Sequence, residues 1–350
     1  MKYVEAVDFR VLGLLYGLML SVAGFTKLGA FERLLELLLK VVKSTRGIMV
    51  VLVFLCFFTS MWITNDVALI TFVPFAVMSL NRLGKNNLLI YTVVLQTIAA
   101  NLGSMCTPVG NPQNLFLYSV SGISIGRFLQ ILLPYSLISL LLLVVFCFLP
   151  KKEGLSVQGL QETAAKKEKN GIYWNTGVSA VVRAAGYFLA FLLCLLSILH
   201  VLDYRIAVVC VTVLVLILDV RLFRKVDYML LLTFVAFFLF VGNVKQMDVV
   251  HEFLANGIRN FEVPFSIGAS QLISNVPAAV LLSGFTNDHE ALLVGTNLGG
   301  LGTLIASMAS LISYKIYQMT AECNMKKYLL EFTGMNLLFL AVLFGVWVVL

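Results

Sequence analysis

Long apolar runs separated by short polar or charged gaps follow one another along almost the whole chain. The runs 131–150, 178–199 and 329–350 are each about the length that a helix needs to cross a hydrocarbon core of roughly 30 Å. Matching the runs to the gaps predicts about eight full crossings, at residues 9–30, 86–122, 127–149, 177–200, 206–220, 228–250, 290–318 and 329–350. The pattern therefore predicts an all-α polytopic membrane protein.

Two further apolar stretches, residues 47–80 and 262–285, are each interrupted midway by polar residues. The interruptions read Thr64-Asn65-Asp66 and Ser274-Asn275. A single crossing rarely carries such a break, whereas a re-entrant hairpin tolerates non-helical backbone where it lines a protein-enclosed cavity. We therefore expect two re-entrant hairpins in addition to the crossings.

Lysine and arginine residues gather on alternate gaps, as the positive-inside rule requires of a correct set of crossings. They flank the first hairpin and recur in the gaps around 151–169, 221–225 and 326–327, whereas the second hairpin ends at the acidic stretch 287–290. The two hairpins are thus expected to enter from opposite faces. The protein is predicted to be a multi-pass protein of the cell membrane, either inner or plasma membrane.

Three segments recur in the same order in the two halves of the chain. Val7-Asp8-Phe9 matches Val226-Asp227-Tyr228, Ile63-Thr64-Asn65 matches Ile273-Ser274-Asn275, and Asn101-Leu102-Gly103 matches Asn297-Leu298-Gly299. Because the charge pattern places the copies in opposite orientations, we interpret them as inverted repeats, each with a hairpin and a broken transmembrane helix. Inverted repeats are typical of secondary transporters.

The repeats define the predicted domains. Residues 1–150 form the first repeat, 151–170 a polar cytoplasmic linker, and 171–350 the second repeat. The helices at 177–200 and 206–220 have no counterpart before the first copy. The chain is therefore either a minimal member of its class, or its start lacks a helical pair.

The composition also indicates that the chain is embedded in a lipid bilayer. Apolar residues make up 60% of the chain and charged residues 12%, with a mean hydropathy of +0.96, whereas a soluble domain is about one quarter charged. The net charge of +7 does not indicate nucleic-acid binding, because the basic residues lie between apolar segments. The cysteines form no CxxC pair and no phosphate-binding loop is present. We expect no enzyme and no cofactor.

Four polar breaks, two in each half, are the candidate sites: 64–66, 103–114, 274–275 and 299–307. Unwound backbone in a membrane frees N–H groups for an anion and C=O groups for sodium, while neutral side chains bind without the cost of burying a charge. The predicted substrate-binding residues are Thr64, Asn65, Ser104, Thr107, Asn111, Asn114, Ser274, Asn275, Thr303 and Ser307. The predicted ion-coupling residues are Asp66, Gly103, Gly110, Gly299 and Gly300, with sodium expected at the same backbone breaks.

Each of these assignments has a structural alternative. Asp66 is an ionisable residue in an apolar segment and so a candidate for binding a cation or a coupled proton. It is also placed to cap the second arm of its hairpin. The polar residues of the breaks could serve only to hydrogen-bond neighbouring helices.

At these residues the sequence resembles the ion transporter superfamily, which includes divalent anion:sodium symporters, citrate transporters, arsenite permeases and certain sodium/proton antiporters. Residues 64–70 with Val73-Pro74 are similar to the hairpin of arsenite permeases, and 103–114 resembles the superfamily's broken helix. The resemblance implies a scaffold domain (1–46 and 171–260), a transport domain (47–150 and 261–350), a homodimer, an elevator-like shift and ion coupling.

The chain departs from the dicarboxylate symporters at both hairpin tips. Asp66 and Val276 stand where those proteins have threonine. The leading hypothesis is a secondary transporter of a small anion, an inorganic oxyanion or a carboxylate, coupled to sodium or protons. The alternative is a sodium/proton exchanger or an arsenite efflux permease. A channel is disfavoured because paired hairpins around one site favour alternating access.

Overall fold

The computed structural model describes residues 7–39, 42, 44–151, 153, 180–244, 257–320 and 323–350. Within these residues the chain forms α-helices joined by turns and short 3-10 segments, and no β-strand. The prediction of an all-α polytopic membrane protein is confirmed. The predicted linker 151–170 falls, except for residues 151 and 153, outside the described residues.

The helices are numbered here in chain order. They are α1 (Phe9–Lys27), α2 (Ala30–Leu39), α3 (Thr45–Ile63), α4 (Asn65–Arg82), α5 (Leu89–Ser104), α6 (Pro112–Ser121), α7 (Ile125–Phe148), α8 (Ala180–Ile198), α9 (Tyr204–Asp219), α10 (Tyr228–Val244), α11 (Glu262–Ile273), α12 (Asn275–Leu282), α13 (His289–Leu298), α14 (Met308–Gln318) and α15 (Met325–Val349). Short 3-10 segments lie at Asn86–Leu88, Val220–Lys225 and Leu304–Ala306.

Seven helical segments are long and apolar enough to span a bilayer among the described residues, against the eight crossings predicted. Five of them, which begin at residues 9, 125, 180, 204 and 325, coincide with predicted crossings. The remaining two are α3, predicted as a hairpin arm, and the segment 86–104, predicted as half of a broken crossing. The predicted crossing at 228–250 is described as far as Val244, and that at 290–318 is divided into α13 and α14.

The chain divides into two compact units. The first comprises residues 1–34 and 166–252, and in it α1 packs against α8, α9 and α10. Gly17 and Gly24 of α1 face Cys194 and the ring of Tyr187 so closely that a Cβ at either glycine would clash. Small residues of this kind allow close helix packing inside a membrane.

The second unit comprises residues 35–165 and 253–350 and holds both hairpins and both broken helices. The arms α3 and α4 pack against α5, and the arms α11 and α12 pack against α13. The second arms also contact the other half of the chain, α4 against α14 and α12 against α6. The assignment of scaffold and transport roles to parts of the chain, and the opposite orientation of the two repeats, stay predictions.

One exposed stripe of α7 is apolar. Leu133, Leu137, Leu141 and Val145 recur every four residues and are all exposed, which places them on one stripe of the helix. Such a stripe suits contact with lipid tails, where backbone polar groups must be satisfied inside the helix.

Candidate functional site

Each hairpin turns at one residue with an unusual backbone. Thr64 (φ 71°, ψ 148°) separates α3 from α4, and Ser274 (φ 71°, ψ 152°) separates α11 from α12. Non-glycine residues rarely adopt this region, at a cost of about 1–3 kcal/mol. Both interruptions are shorter than predicted, because Asn65 and Asp66 lie in the first turn of α4 and Asn275 is the first residue of α12.

The residues after the two tips have the same local contacts. Asn65 and Asn275 are both buried, and the Oδ1 of each accepts a hydrogen bond at 3.0 Å from the next backbone N–H. The backbone N–H of Asn65 also donates to the carbonyl of Gly110, at 3.2 Å, which ties the first tip to the first break.

The first helix break is shorter than the predicted 103–114. Helix α5 continues through Ser104 and α6 begins at Pro112, with Asn111 as its N-cap accepting from the N–H of Asn114 at 2.9 Å. A Cβ at Gly103 would collide with the backbone carbonyl oxygen of Phe57, so this glycine lets α5 approach α3.

The second break follows the predicted extent, residues 299–307. Helix α13 ends at Leu298 and α14 begins after Ser307. Gly302 adopts φ 108°, and a Cβ there would collide with the side chain of Gln271. Gly299 and Gly300 likewise lie against Ser270 and Asn275, so the predicted ion-coupling glycines provide close packing at the breaks.

Asn101, on the last turns of α5, joins the first hairpin to the second break. Its Oδ1 accepts from Asn65 Nδ2 at 3.0 Å and from Ser307 Oγ at 3.1 Å, and its Nδ2 donates to the carbonyl of Gly300 at 3.3 Å. All four hydrogen-bonding positions lie in the second unit and the three side chains are buried.

Asn297 has the matching role at the end of α13. Its Oδ1 accepts from Asn111 Nδ2 at 3.1 Å, and its Nδ2 donates to Asn114 Oδ1 at 2.6 Å and to the carbonyl of Leu293 at 2.7 Å. Asn111 also donates to Ser104 Oγ at 3.2 Å. The two breaks therefore interlock, each through an asparagine that belongs to the other half.

Asn101 and Asn297 align the two repeats, but they are absent from the predicted set of site residues. The signal was present, because both begin the repeated Asn-Leu-Gly segment. Gln271 and Ser270 were also missed, and they lie on α11 against the second break.

Two of the three predicted threonines, Thr107 and Thr303, contact backbone groups rather than the asparagines at the centre of the site. Thr107 Oγ1 donates to the carbonyl of Met61 and accepts from the N–H of Gly110 at 3.1 Å. The N–H of Thr303 donates to Gln271 Oε1 at 2.9 Å, and the side chain of Thr303 is exposed. Ser274 Oγ makes long contacts of 3.5 Å to Asn275 Oδ1 and the carbonyl of Ala306.

Asp66 is the one charged residue in the four segments 64–66, 103–114, 274–275 and 299–307. It is half-buried in the first turn of α4, where its backbone N–H donates to Asn65 Oδ1. A carboxylate near a helix N-terminus is favourably placed against the helix dipole. Its coupling role stays a prediction, as do the roles of the other site residues.

These features define a class. The chain has apolar helices long enough to span a membrane, and its second unit contains two broken helices and two hairpin tips. Neutral polar side chains of the tips and breaks and of the helix ends beside them are buried in that unit, namely Asn65, Asn101, Asn111, Asn297 and Ser307. A membrane transporter is the class that uses such discontinuous helices as a substrate site.

The comparison with known proteins gives the family. Residues 1–288 match the citrate transporter family, CitMHS, and the chain belongs to it. The uncharacterized transporter MJ0456 of Methanocaldococcus jannaschii is 31% identical over 290 residues, covering 79% of this chain and 73% of its own. The inner membrane protein YbiR of Escherichia coli is 30% identical over 320 residues, covering 89% and 80%. The silicon efflux transporter LSI3 of rice is 31% identical over 171 residues, covering 48% and 34%.

Proposed function

We propose that the protein is a secondary-active transporter that moves a small anion, an inorganic oxyanion or a carboxylate, across the membrane by alternating access. Coupling to sodium or protons, and the homodimer and elevator-like shift that the resemblance implies, belong to this proposal. The observation that carries it is the interlock of the two helix breaks through Asn101 and Asn297.

Neutral donors dominate this centre. The side-chain amides of Asn65, Asn101, Asn111 and Asn297 and the hydroxyl of Ser307 are buried together, and no lysine or arginine occurs in the tip and break segments. Amide and hydroxyl donors bind an anion without leaving a fixed positive charge buried when the anion departs. This property favours reversible binding of an anion on both sides of the membrane.

Asp66 provides a reason for coupling. An anion bound near a carboxylate is repelled unless the carboxylate is protonated or a cation lies between them. Binding of the anion would therefore favour binding of a proton or sodium ion, and the two would travel together. That linkage is the thermodynamic basis of symport.

Asp66 also favours a second candidate, a sodium/proton exchanger or an arsenite efflux permease. In that case Asp66 would bind the transported cation or proton. The neutral donors would bind an uncharged oxyacid in an efflux permease, or would only hydrogen-bond backbone groups in an exchanger. The relative from rice is named for silicon efflux, which agrees with an efflux role.

Thermal unfolding of the purified chain in detergent separates the two candidates. The midpoint is measured with citrate, succinate, sulfate, phosphate and arsenite, each with sodium or choline and at two pH values. A ligand that binds the folded state raises the midpoint by mass action. A rise with citrate, succinate, sulfate or phosphate that requires sodium or low pH supports the anion transporter.

The comparison variant is Asp66→Asn, with Asp203→Asn as its matched control. Asp203 is exposed and is the N-cap of α9, a position at which asparagine caps as well as aspartate. If no anion shifts the midpoint, but sodium or pH does and Asp66→Asn alone abolishes that shift, the exchanger replaces the anion transporter. A shift with arsenite alone assigns the efflux permease.

A further inference from the structure

Each helix break is closed by one side-chain carboxamide. In the first break, Asn114 Nδ2 donates to three backbone carbonyls, those of Ser104 at 3.4 Å, Met105 at 3.2 Å and Thr107 at 3.1 Å. In the second, Gln271 Nε2 donates to the carbonyls of Gly299 at 3.0 Å and Leu301 at 2.9 Å.

The hydrogen bond made by each carboxamide oxygen determines the orientation of that carboxamide. Asn114 Oδ1 accepts from Asn297 Nδ2 at 2.6 Å, and Gln271 Oε1 accepts from the N–H of Thr303 at 2.9 Å. Because each oxygen faces an N–H donor, each amide nitrogen must face the carbonyls.

The two carboxamides come from different places in the repeats. Gln271 lies three residues before the tip Ser274, and the residue three before Thr64 is Met61, which has no donor. Asn114 lies thirteen residues after Asn101, and thirteen after Asn297 is Ser310. In both breaks a carboxamide therefore donates to backbone carbonyls, but the two carboxamides do not occupy corresponding positions of the repeats.

Converging carbonyl oxygens at a helix break are the ligands that a sodium ion uses in transporters. An amide NH₂ presents partial positive charge to the same oxygens and satisfies them without an ion. We propose that the side-chain amides of Asn114 and Gln271 bind the carbonyl oxygens of the two breaks in place of a sodium ion. The two residues would thereby determine which ion the protein accepts. The inference rests on the proposed function, since it concerns the coupling ion of that site.

A carboxylate in place of the amide provides the sharpest test. In Gln271→Glu an oxygen replaces the nitrogen that faces Gly299 and Leu301, so like partial charges meet. The thermal midpoint of this variant at pH 8 in choline chloride is expected to fall below that of the wild type. Sodium chloride at the same ionic strength, or pH 5, should restore it, because a cation or the added proton again faces the carbonyls.

The wild type is expected to show no difference between sodium and choline under the same conditions. The matched control is Gln318→Glu, which places the same charge at an exposed position at the end of α14. It should respond to neither sodium nor pH differently from the wild type. Gln271→Met, which copies Met61, is the second variant, because it removes the donor without adding charge and should acquire a sodium-dependent rise.

A saturable, sodium-specific rise in the wild type overturns the inference. So does a Gln271→Glu variant that behaves like the wild type at both pH values, or, should that variant not fold, a Gln271→Met variant without a sodium response. No anion enters these measurements. The inference can therefore stand while the anion proposal fails, and a sodium response in the wild type leaves the anion proposal intact.

Discussion

Thr64 and Ser274, 210 positions apart, share one backbone conformation, with φ 71° in both and ψ of 148° and 152°. Each is the single residue between the arms of a hairpin, and each precedes a buried asparagine that bonds the next backbone N–H. An unfavourable conformation that occurs at both corresponding positions has a cost that the surrounding contacts offset.

Glycine at either tip should stabilise the fold. Thr64→Gly and Ser274→Gly remove roughly 1–3 kcal/mol of strain and lose about 0.5–1 kcal/mol through the freer unfolded chain. We expect midpoints equal to or above that of the wild type. Thr64→Val keeps the branched side chain and should show no gain. A clear fall in the midpoint of both glycine variants would mean that the side chains, rather than the backbone, hold the tips.

Asn101→Ala should destabilise the fold strongly. It leaves the donors of Asn65 and Ser307 and the carbonyl of Gly300 without their partner, at about 1–3 kcal/mol for each buried group. The control is Asn336→Leu on α15, a buried asparagine whose Oδ1 has no hydrogen-bond partner among the described residues. It should cost less than Asn101→Ala, as read from the two thermal midpoints. Equal losses would show that Asn101 does not connect the two halves.

Gly103→Ala tests the close approach of α5 to α3. Its methyl group would meet the carbonyl of Phe57, and forcing a group into such a packed contact typically costs about 1–3 kcal/mol or more. Gly334→Ala is the matched change, because no atom lies within 4 Å of its Cβ position and it is exposed in the middle of α15. It should raise the midpoint slightly, since alanine is the better helix former by about 1 kcal/mol.

The exposed ion pair between Arg127 and Glu290 should matter little. Two hydrogen bonds, of 2.8 and 2.6 Å, join the guanidinium and the carboxylate between α7 and α13. Exposed pairs of this kind contribute about 0–1 kcal/mol. Arg127→Gln is expected to shift the midpoint by less than Asn101→Ala or Gly103→Ala, and a larger shift would indicate that this end of the protein is shielded from water.

Much of the fold follows from the sequence because membrane helices have a strong signal. Apolar length located α1, α7, α8, α9 and α15, and the polar interruptions at Thr64 and Ser274 located both hairpin tips. The extents of the breaks were less predictable. Ser104 and Asn114 are break-type residues by composition, but Ser104 is the last residue of α5 and Asn114 lies in the first turn of α6, which Asn111 caps.

The cross-links of the candidate site could not be predicted. Asn101 and Ser307 are 206 residues apart, and nothing in either local sequence indicates the partner. Gln271 has no polar counterpart in the other repeat, where Met61 stands at the matching position, so comparing the repeats does not identify it. Chemistry that depends on such distant pairs is visible only once the helices are packed.

Transport by the purified chain in sealed vesicles tests the central claim most directly. Uptake of labelled citrate, succinate, phosphate and sulfate is measured under an imposed sodium or proton gradient, for the wild type and for Asn111→Ala. Asn111 joins the breaks through Asn297. We expect saturable accumulation of one of these anions that collapses with the gradient and is lost in the variant. Movement of sodium or protons without any of these anions, or accumulation unaffected by Asn111→Ala, would contradict the account.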